Sequence, residues 1–173
     1  MYIKKYITPS NFSDMFIESD GEYLTGLWFI DSKDSLKHNN NSKEKDLEIF
    51  RQTEKWLDIY FSGGIPDFTP NIKIENLTPF RSKVIEIMNR IPYGKVITYG
   101  DISKKIALDT GIGRMSSQAV GGAVGWNPIC IIIPCHRVVG AKNNLTGYGG
   151  GLKNKIELLK LEKNNISEFI MPK

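Results

Sequence analysis

Ile129-Cys130-Ile131-Ile132-Ile133-Pro134-Cys135-His136-Arg137-Val138-Val139 is the stretch on which the reading of this chain turns. Its apolar opening is too short for a helix and fits a buried strand. That strand would deliver the chain to a proline, which fixes the backbone, and then to a thiol flanked by an imidazole and a guanidinium. A lone buried cysteine is ordinarily an inert packing residue. Here the neighbours are polar and basic, and they favour the thiolate, the form of cysteine that attacks. Cys135 is therefore read as a nucleophile at the end of a strand. Cys130, followed by isoleucines, is read as structural.

A nucleophilic thiol needs a base, and His136 is adjacent. Neighbours in a strand point to opposite faces, so His136 would take the proton through a bend or a bridging water. A base of this kind is commonly oriented by a carboxylate. Glu162 is the candidate, near the core side of a helix expected from about 152 to 163 with Leu152, Ile156 and Leu159 as its apolar stripe. The alternative for Glu162 is a solvated acid at a helix end. Between Cys135 and that helix lies Gly147-Tyr148-Gly149-Gly150-Gly151. Such a loop can present backbone N–H groups to a polar ligand, or it can be a flexible turn.

Upstream, Thr78 and Pro79 open a helix as N-cap and first helical residue. Phe80, Val84, Ile87 and Ile91 form its apolar stripe, and Pro92-Tyr93-Gly94 stops it. Thr98-Tyr99-Gly100-Asp101 is a capping-box pattern that starts a second helix through about Ala107. After a turn over 108–113, a third helix runs from about 116 to 124, rich in small residues: Ala119, Gly121, Gly122 and Ala123. Helix, glycine-bearing turn and small-residue helix make either a helix-turn-helix or an ordinary helical hairpin.

The first half reads differently. Strands are expected at 1–7, 15–18 and 23–30, with Asp20-Gly21 as a turn, a polar loop over 35–42, and a helix over 45–61 presenting Leu47, Phe50, Leu57 and Phe61. A strand-poor linker over 67–76 places a domain boundary after 76. The fold class is thus α/β (α+β): a small sheet-plus-helix unit over 1–76, then a mostly helical unit over 77–173.

Charge divides the same way. Residues 1–77 carry 9 Lys+Arg against 13 Asp+Glu, a net of −4, whereas residues 78–173 carry 14 against 6, a net of +8. A polyanion would dock on the second half. No run approaches the ~18 to 20 apolar residues of a membrane span, and the N-terminus lacks a signal-peptide core, so a cytoplasmic protein is expected. Two cysteines five positions apart suit neither a disulfide nor, with His38 and His136, a structural zinc site. Neither metal nor cofactor is expected.

Taken together, these residues resemble the O6-alkylguanine-DNA alkyltransferases, also called methylated-DNA–protein-cysteine methyltransferases. The resemblance rests on Ile91-Pro92-Tyr93-Gly94-Lys95-Val96, Thr98-Tyr99-Gly100-Asp101-Ile102, Ala119-Val120-Gly121-Gly122-Ala123, Asn127-Pro128, Ile133-Pro134-Cys135-His136-Arg137-Val138 and Gly147-Tyr148-Gly149-Gly150-Gly151-Leu152. Residues 1–77 match only loosely, through Asp20-Gly21 and Leu24-Thr25-Gly26-Leu27-Trp28.

The resemblance implies a ribonuclease-H-like first domain and a second with a winged-helix-like helix-turn-helix. It implies single-turnover repair by a monomer: O6-alkylguanine, and O4-alkylthymine as a second candidate, is flipped out of double-stranded DNA, and its alkyl group passes irreversibly to Cys135. His136 would be the water-mediated base, oriented by Glu162, with Asn127 tethering the segment. Tyr99 would push the target phosphate and donate toward the departing base. Backbone groups of Cys135 and Val138 would read the exocyclic amine, Gly149 would approach the oxygen beside Gly150, and Tyr148 would wall the pocket. Thr98, Arg114, Gln118, Ala119, Gly122 and Arg137 would meet the DNA. Where the family often carries an arginine that fills the emptied stack, this chain has Gln118, with Arg114 four residues earlier.

Three rival classes differ in what they need. A non-catalytic damage sensor would lack the reactive cysteine. A cysteine hydrolase would leave the basic half unexplained, and a transcriptional regulator would need sequence-specific DNA affinity.

Overall fold

Three β-prone stretches in the first thirty residues build a sheet. In the computed structural model, which describes residues 1–38 and 41–173, β1 (Tyr2–Tyr6), β2 (Met15–Ser19) and β3 (Leu24–Phe29) run antiparallel as neighbours. The turn before β3 is held by Asp20, whose Oδ1 accepts from the N–H groups of Glu22 and Tyr23 at 3.1 and 2.9 Å, the local bonding that suits Asp to turns. A two-residue β4 (Lys43–Glu44) joins parallel to β1, giving the order β3-β2-β1-β4. Met15 and Ile17 of β2 point into the core, against α1 (Glu48–Phe61), which buries Phe50, Leu57, Tyr60 and Phe61.

The polar loop expected over 35–42 is partly a 3-10 helix, Lys33–Lys37, and Asp34 in it is buried. Asn39 and Asn40, inside that expected loop, lie outside the described residues.

β3 sits at one edge of the sheet, and every residue of it is buried. An open edge would expose unpaired backbone groups, but two later segments cover this one. The linker adds Ile72 beside Leu24, with Leu24 N–H donating to Asn71 O at 2.8 Å. Farther along, Leu27 N–H donates to Pro128 O, and Cys130 N–H donates to Leu27 O, both at 3.0 Å. Residues 128–130 of the second half are therefore spliced onto the sheet of the first.

That segment is not the strand the apolar run suggested. Ile129 makes a single bridge to Leu27, and the chain then turns back on itself, with Ile131 at φ 67°. Its hydrogen bonds are local: Ile132 N–H to Cys130 O and Ile133 N–H to Ile129 O. Asn127 causes the turn to close, since its buried amide accepts from Ile129 N–H at 3.0 Å and donates to Ile133 O at 2.9 Å. A side chain that takes both ends of the run leaves no ladder to extend. Apolar character buried the segment, but asparagine shaped it.

In the second half, α2 (Pro79–Asn89) begins at Thr78, whose hydroxyl caps Arg81 N–H, and buries Val84 and Ile87. A short β5 (Ile97–Thr98) leads into α3 (Tyr99–Thr110), opened by the expected capping box of Thr98 and Asp101. The helix runs past Ala107 into the expected turn and ends at Gly111, at φ 69°. Ser116 caps α4 (Ser117–Gly125). β5 pairs parallel with β6 (Val138–Val139), directly after the Cys135–Arg137 3-10 turn. The last helix, α5 (Leu152–Leu161), buries Leu159 as expected and packs Ile156 against it, but Asn154, Lys155 and Leu158 are buried as well, and Leu152 is exposed. Lys155 takes the inward position because a carbonyl waits for it, as described below. One buried cluster joins Phe50 and Leu57 of the first half to Val84, Ile102, Val120 and Leu158 of the second. No described helix is long and apolar enough to cross a membrane.

Asn127→Ala removes the partners of two buried backbone groups, so urea unfolding should report a loss of about 3 kcal/mol, and a loss under about 1 kcal/mol would show that the turn closes without it.

Candidate active site

Cys135 opens a 3-10 turn behind Pro134 and is only 7 % exposed. Burial pushes its thiol above the ordinary cysteine range, and the negative charge of Asp34 pushes the same way. The neighbouring Asn127 side chain, together with the charges of Lys37 and Lys155, pulls it back without reversing the shift. The sequence-based expectation that His136 and Arg137 keep Cys135 ionised is therefore corrected. The thiol rests protonated, because a desolvated anion costs more than those neighbours return.

His136 and Arg137 converge instead on Glu162. The Glu162 carboxylate, 2 % exposed at the C-terminal end of α5, is no solvated helix-end acid. Its Oε1 accepts from His136 Nε2 at 2.8 Å, Arg137 NH2 at 2.9 Å and the Tyr60 hydroxyl at 2.7 Å. Its Oε2 accepts from Arg137 Nε at 2.9 Å and Gly94 N–H at 3.1 Å. Burial by itself would raise this carboxyl, but the hydrogen bonds and charges of His136 and Arg137 overcome it and hold the group well below its usual range. Gly94 is needed for this approach: it sits at φ 74°, and a Cβ there would lie 2.9 Å from Glu162 O.

The imidazole has the opposite tendency. Burial lowers His136, against the pull of Glu162 and with help from Arg137 and Lys155. A neutral ring whose Nε2 donates to a carboxylate carries its lone pair on Nδ1. Nδ1 is buried and has no protein partner among the described residues.

Arg137, expected among the DNA contacts, has no free face for a phosphate. Its guanidinium forks onto Glu162 and donates to Ile91 O at 2.7 Å, and its side chain is 12 % exposed.

The glycine loop lies over this site. A side chain at Gly149 would have to displace the Asp34 carboxylate, which a Cβ there would meet. Asp34 N–H donates to Gly149 O at 3.3 Å, and Asp34 is paired with Lys37, whose ammonium also donates to Asn127 O at 3.4 Å. Lys155 donates to Val138 O at 2.7 Å from within the core, and burial brings its ammonium down to about 8. Val138 O keeps its second lone pair. Tyr148 is half-buried with its hydroxyl unpartnered among the described residues, and Gly150 is buried beneath it. Asp34, Lys37, Gly125, Gly147, Tyr148 and Gly149 help to line a cavity of about 520 Å³, within the usual range for a small-ligand site. Tyr99, the first residue of α3, reaches the same loop: its hydroxyl is 3.5 Å from Thr146 O, and burial raises it to about 12.

α4 turns Val120, Ala123 and Val124 inward and bares Gln118, Ala119 and Gly122 on the outer side, with Arg114 exposed ahead of it. Thr98 lies at the N-terminus of α3 with its hydroxyl engaged in the cap, accepting from Asp101 N–H at 3.0 Å. The two groups are distinct, one buried around Cys135 and one exposed along α4.

Sequence reasoning missed Tyr60, Asp34, Lys37 and Lys155. Tyr60 lies three positions after Leu57, on a face already read as apolar, so its hydroxyl was the available signal. Asp34 and Lys37 fall in a segment read as a polar loop. Lys155 lies next to Ile156, which was given the inward position.

Fold and site define a mixed α/β protein with a shielded thiol next to a buried, hydrogen-bonded histidine–glutamate pair. The family described as 6-O-methylguanine DNA methyltransferase, DNA binding domain, matches residues 79–164. A methylated-DNA–protein-cysteine methyltransferase of Haemophilus influenzae is 38 % identical over 157 residues, 90 % of this chain and 83 % of that protein. One of Mycobacterium tuberculosis is 43 % identical over 144 residues, covering 83 % and 82 %. The crystal structure of Mycobacterium tuberculosis OGT in complex with DNA superposes with a TM-score of 0.77 at 34 % identity, over 98 % of this chain and 95 % of that one. The chain belongs to the methylated-DNA–protein-cysteine methyltransferase family.

Asp34→Asn removes a negative charge that raises the thiol, so the ultraviolet thiolate titration of Cys135, followed in a Cys130→Ala background, should move to lower pH. An unmoved or higher midpoint would mean that the charge does not reach the sulfur.

Proposed function

We propose that this protein reverses alkylation damage in double-stranded DNA, transferring the alkyl group of O6-alkylguanine to Cys135. The observation that carries the reading is the 2.8 Å bond from His136 Nε2 to a buried, ionised Glu162, which leaves Nδ1 as a free base beside a resting thiol. Family membership supports the same chemistry, and the DNA in the complex of the Mycobacterium tuberculosis relative supports DNA as the partner.

The reaction runs as a balanced displacement. As the lesion docks, the Cys135 proton passes through a water to His136 Nδ1, and Glu162 stabilises the imidazolium. The sulfur attacks the alkyl carbon in line, an S–C bond forms, and the C–O6 bond breaks with its electron pair leaving on the purine. One proton returns to the purine, with Tyr99 as its donor and His136 as the reservoir. The product is a thioether, a poor leaving group, so each molecule acts once. Backbone groups of Cys135 and Val138 read the exocyclic amine, Gly149 N–H approaches the oxygen, and Tyr148 walls the pocket above Gly150.

In-line attack requires the nucleotide to leave the stack, at a cost of a few kcal/mol that is smaller for a badly paired base. The bared face of α4 suits the task. Ala119 and Gly122 let the backbone approach a groove closely, and Gln118 fills the gap as a neutral wedge. On this reading α3 and α4 are a helix-turn-helix seated in the minor groove, 1–76 and 77–173 are separate domains, and the protein works as a monomer in the cytoplasm, where thiols stay reduced. O4-alkylthymine is a second substrate of the same pocket. A cysteine hydrolase would use the same relay but gives no use to the α4 face, and a buried, engaged Cys135 disfavours the non-catalytic sensor.

Incubation with duplex DNA containing O6-methylguanine should add the mass of one methylene to the protein, mapped to Cys135 and absent in Cys135→Ser; an unchanged mass with the lesion intact would reject the assignment. Gln118→Arg places a cation at the wedge, so affinity for the duplex should rise and fall more steeply with salt. A salt dependence identical to that of the unaltered protein would mean that position 118 stays clear of the DNA.

A further inference from the structure

Among the described residues, Tyr60 is the one in the first half whose side chain hydrogen-bonds to Glu162. It comes from α1, in the acidic half to which the charge distribution assigns no DNA contact, and it is 1 % exposed. Its hydroxyl forms a triangle with the relay, 2.7 Å from Glu162 Oε1 and 3.3 Å from His136 Nε2. Packing holds the ring in place: Trp56 stacks on it with centroids 5.4 Å apart, and Tyr93 meets it edge-on at 6.2 Å. A phenol is not needed there for burial, since phenylalanine would fill the same space with no polar group to satisfy.

We infer that Tyr60 is a positioning residue of the relay, through which the N-terminal half sets the tautomer and basicity of His136. This rests on the alkyl-transfer reading for its purpose, although the arrangement itself is a matter of hydrogen bonds.

The argument follows from what each group can donate. Burial beside Glu162 raises the Tyr60 hydroxyl, so it stays protonated and acts as a neutral donor. Its proton goes to Oε1, the same oxygen that accepts from His136 Nε2. Two consequences follow. The carboxylate cannot rotate without losing a buried bond, so Nε2 keeps its proton and Nδ1 keeps its lone pair. Oε1 also has part of its charge taken up by a donor other than the imidazole, so it stabilises an imidazolium less than it otherwise would. The other charges acting on His136 are Arg137, bonded to the same carboxylate, and Lys155 of α5, and both oppose protonation. Tyr60 therefore works in the same direction as those two cations: it keeps His136 neutral at rest and available as a base.

Tyr60→Phe deletes one oxygen and keeps the ring. With only two histidines in the chain, ring-nitrogen resonances assigned with His38→Gln report on His136 without any substrate. The expected result is an upward move of the His136 titration by about half a pH unit or more. Single-turnover transfer from O6-methylguanine duplex should slow by about three- to tenfold, with its acid limb moved in the same direction and DNA affinity unchanged. A purely packing role would lower the melting temperature but leave ring nitrogens and acid limb in place, and that result would overturn the inference. So would a shifted ring with an unchanged transfer rate. If unaltered protein transfers nothing while Tyr60→Phe still shifts the ring, the alkyl-transfer reading fails and the hydrogen-bonded control of His136 stands.

Discussion

A carboxylate withdrawn from water either finds partners or takes up a proton. Glu162 finds them from three parts of the chain: the Cys135–Arg137 turn, the Gly94 backbone and the Tyr60 hydroxyl of α1. The cost of breaking such a set is high, because each orphaned donor would itself be buried. α5, the Cys135–Arg137 turn, the turn that follows α2 and the first-half helix are thus held in one relative placement by a single side chain. The charge of Arg137 matters as much as the hydrogen bonds. Paired with Glu162 it makes a nearly neutral unit, so His136 sits against an acceptor that orients it without ionising it. The relay is ready because it is electrically quiet.

The same logic accounts for a resting thiol. Cys135 is shielded, raised by burial and by Asp34, and restrained by Asn127. A permanently ionised cysteine would react with any soft electrophile or oxidant that reached it. On the proposed reading, a neutral thiol beside a neutral base becomes nucleophilic only when a ligand closes the site and the proton has somewhere to go. Selectivity in this arrangement belongs to the site as a whole rather than to the sulfur.

Much of this was legible in the residues. Thr78 with Pro79 and the Thr98–Asp101 box opened helices where they do in the structure, because caps act over a few residues and need no tertiary context. The β-prone stretch that became β2 and the apolar face of α1 were legible from local composition and spacing. What escaped reading depended on distant partners. The run 129–133 has the composition of a strand, but Asn127 bonds to both its ends, and only the folded chain brings β3 alongside. The inward position of Lys155 on α5 escaped reading because a buried lysine makes sense only once Val138 O lies in front of it. Arg137 was given to the DNA because a guanidinium beside a nucleophile looks free until its carboxylate is located. In each case a polar group overrode an apolar pattern.

The splice between Leu27 and residues 128–130 has a bearing on how the protein comes into being. Synthesis proceeds from the N-terminus, and early segments emerge with their later partners still unmade. β3 must wait for residues 128–130, and the relay must wait for Glu162, close to the end of the chain. A ribosome-bound fragment therefore carries an ordinary cysteine, with no base behind it and no wall around it. The buried contacts around Cys135 are therefore complete only once the helix that carries Glu162 has docked.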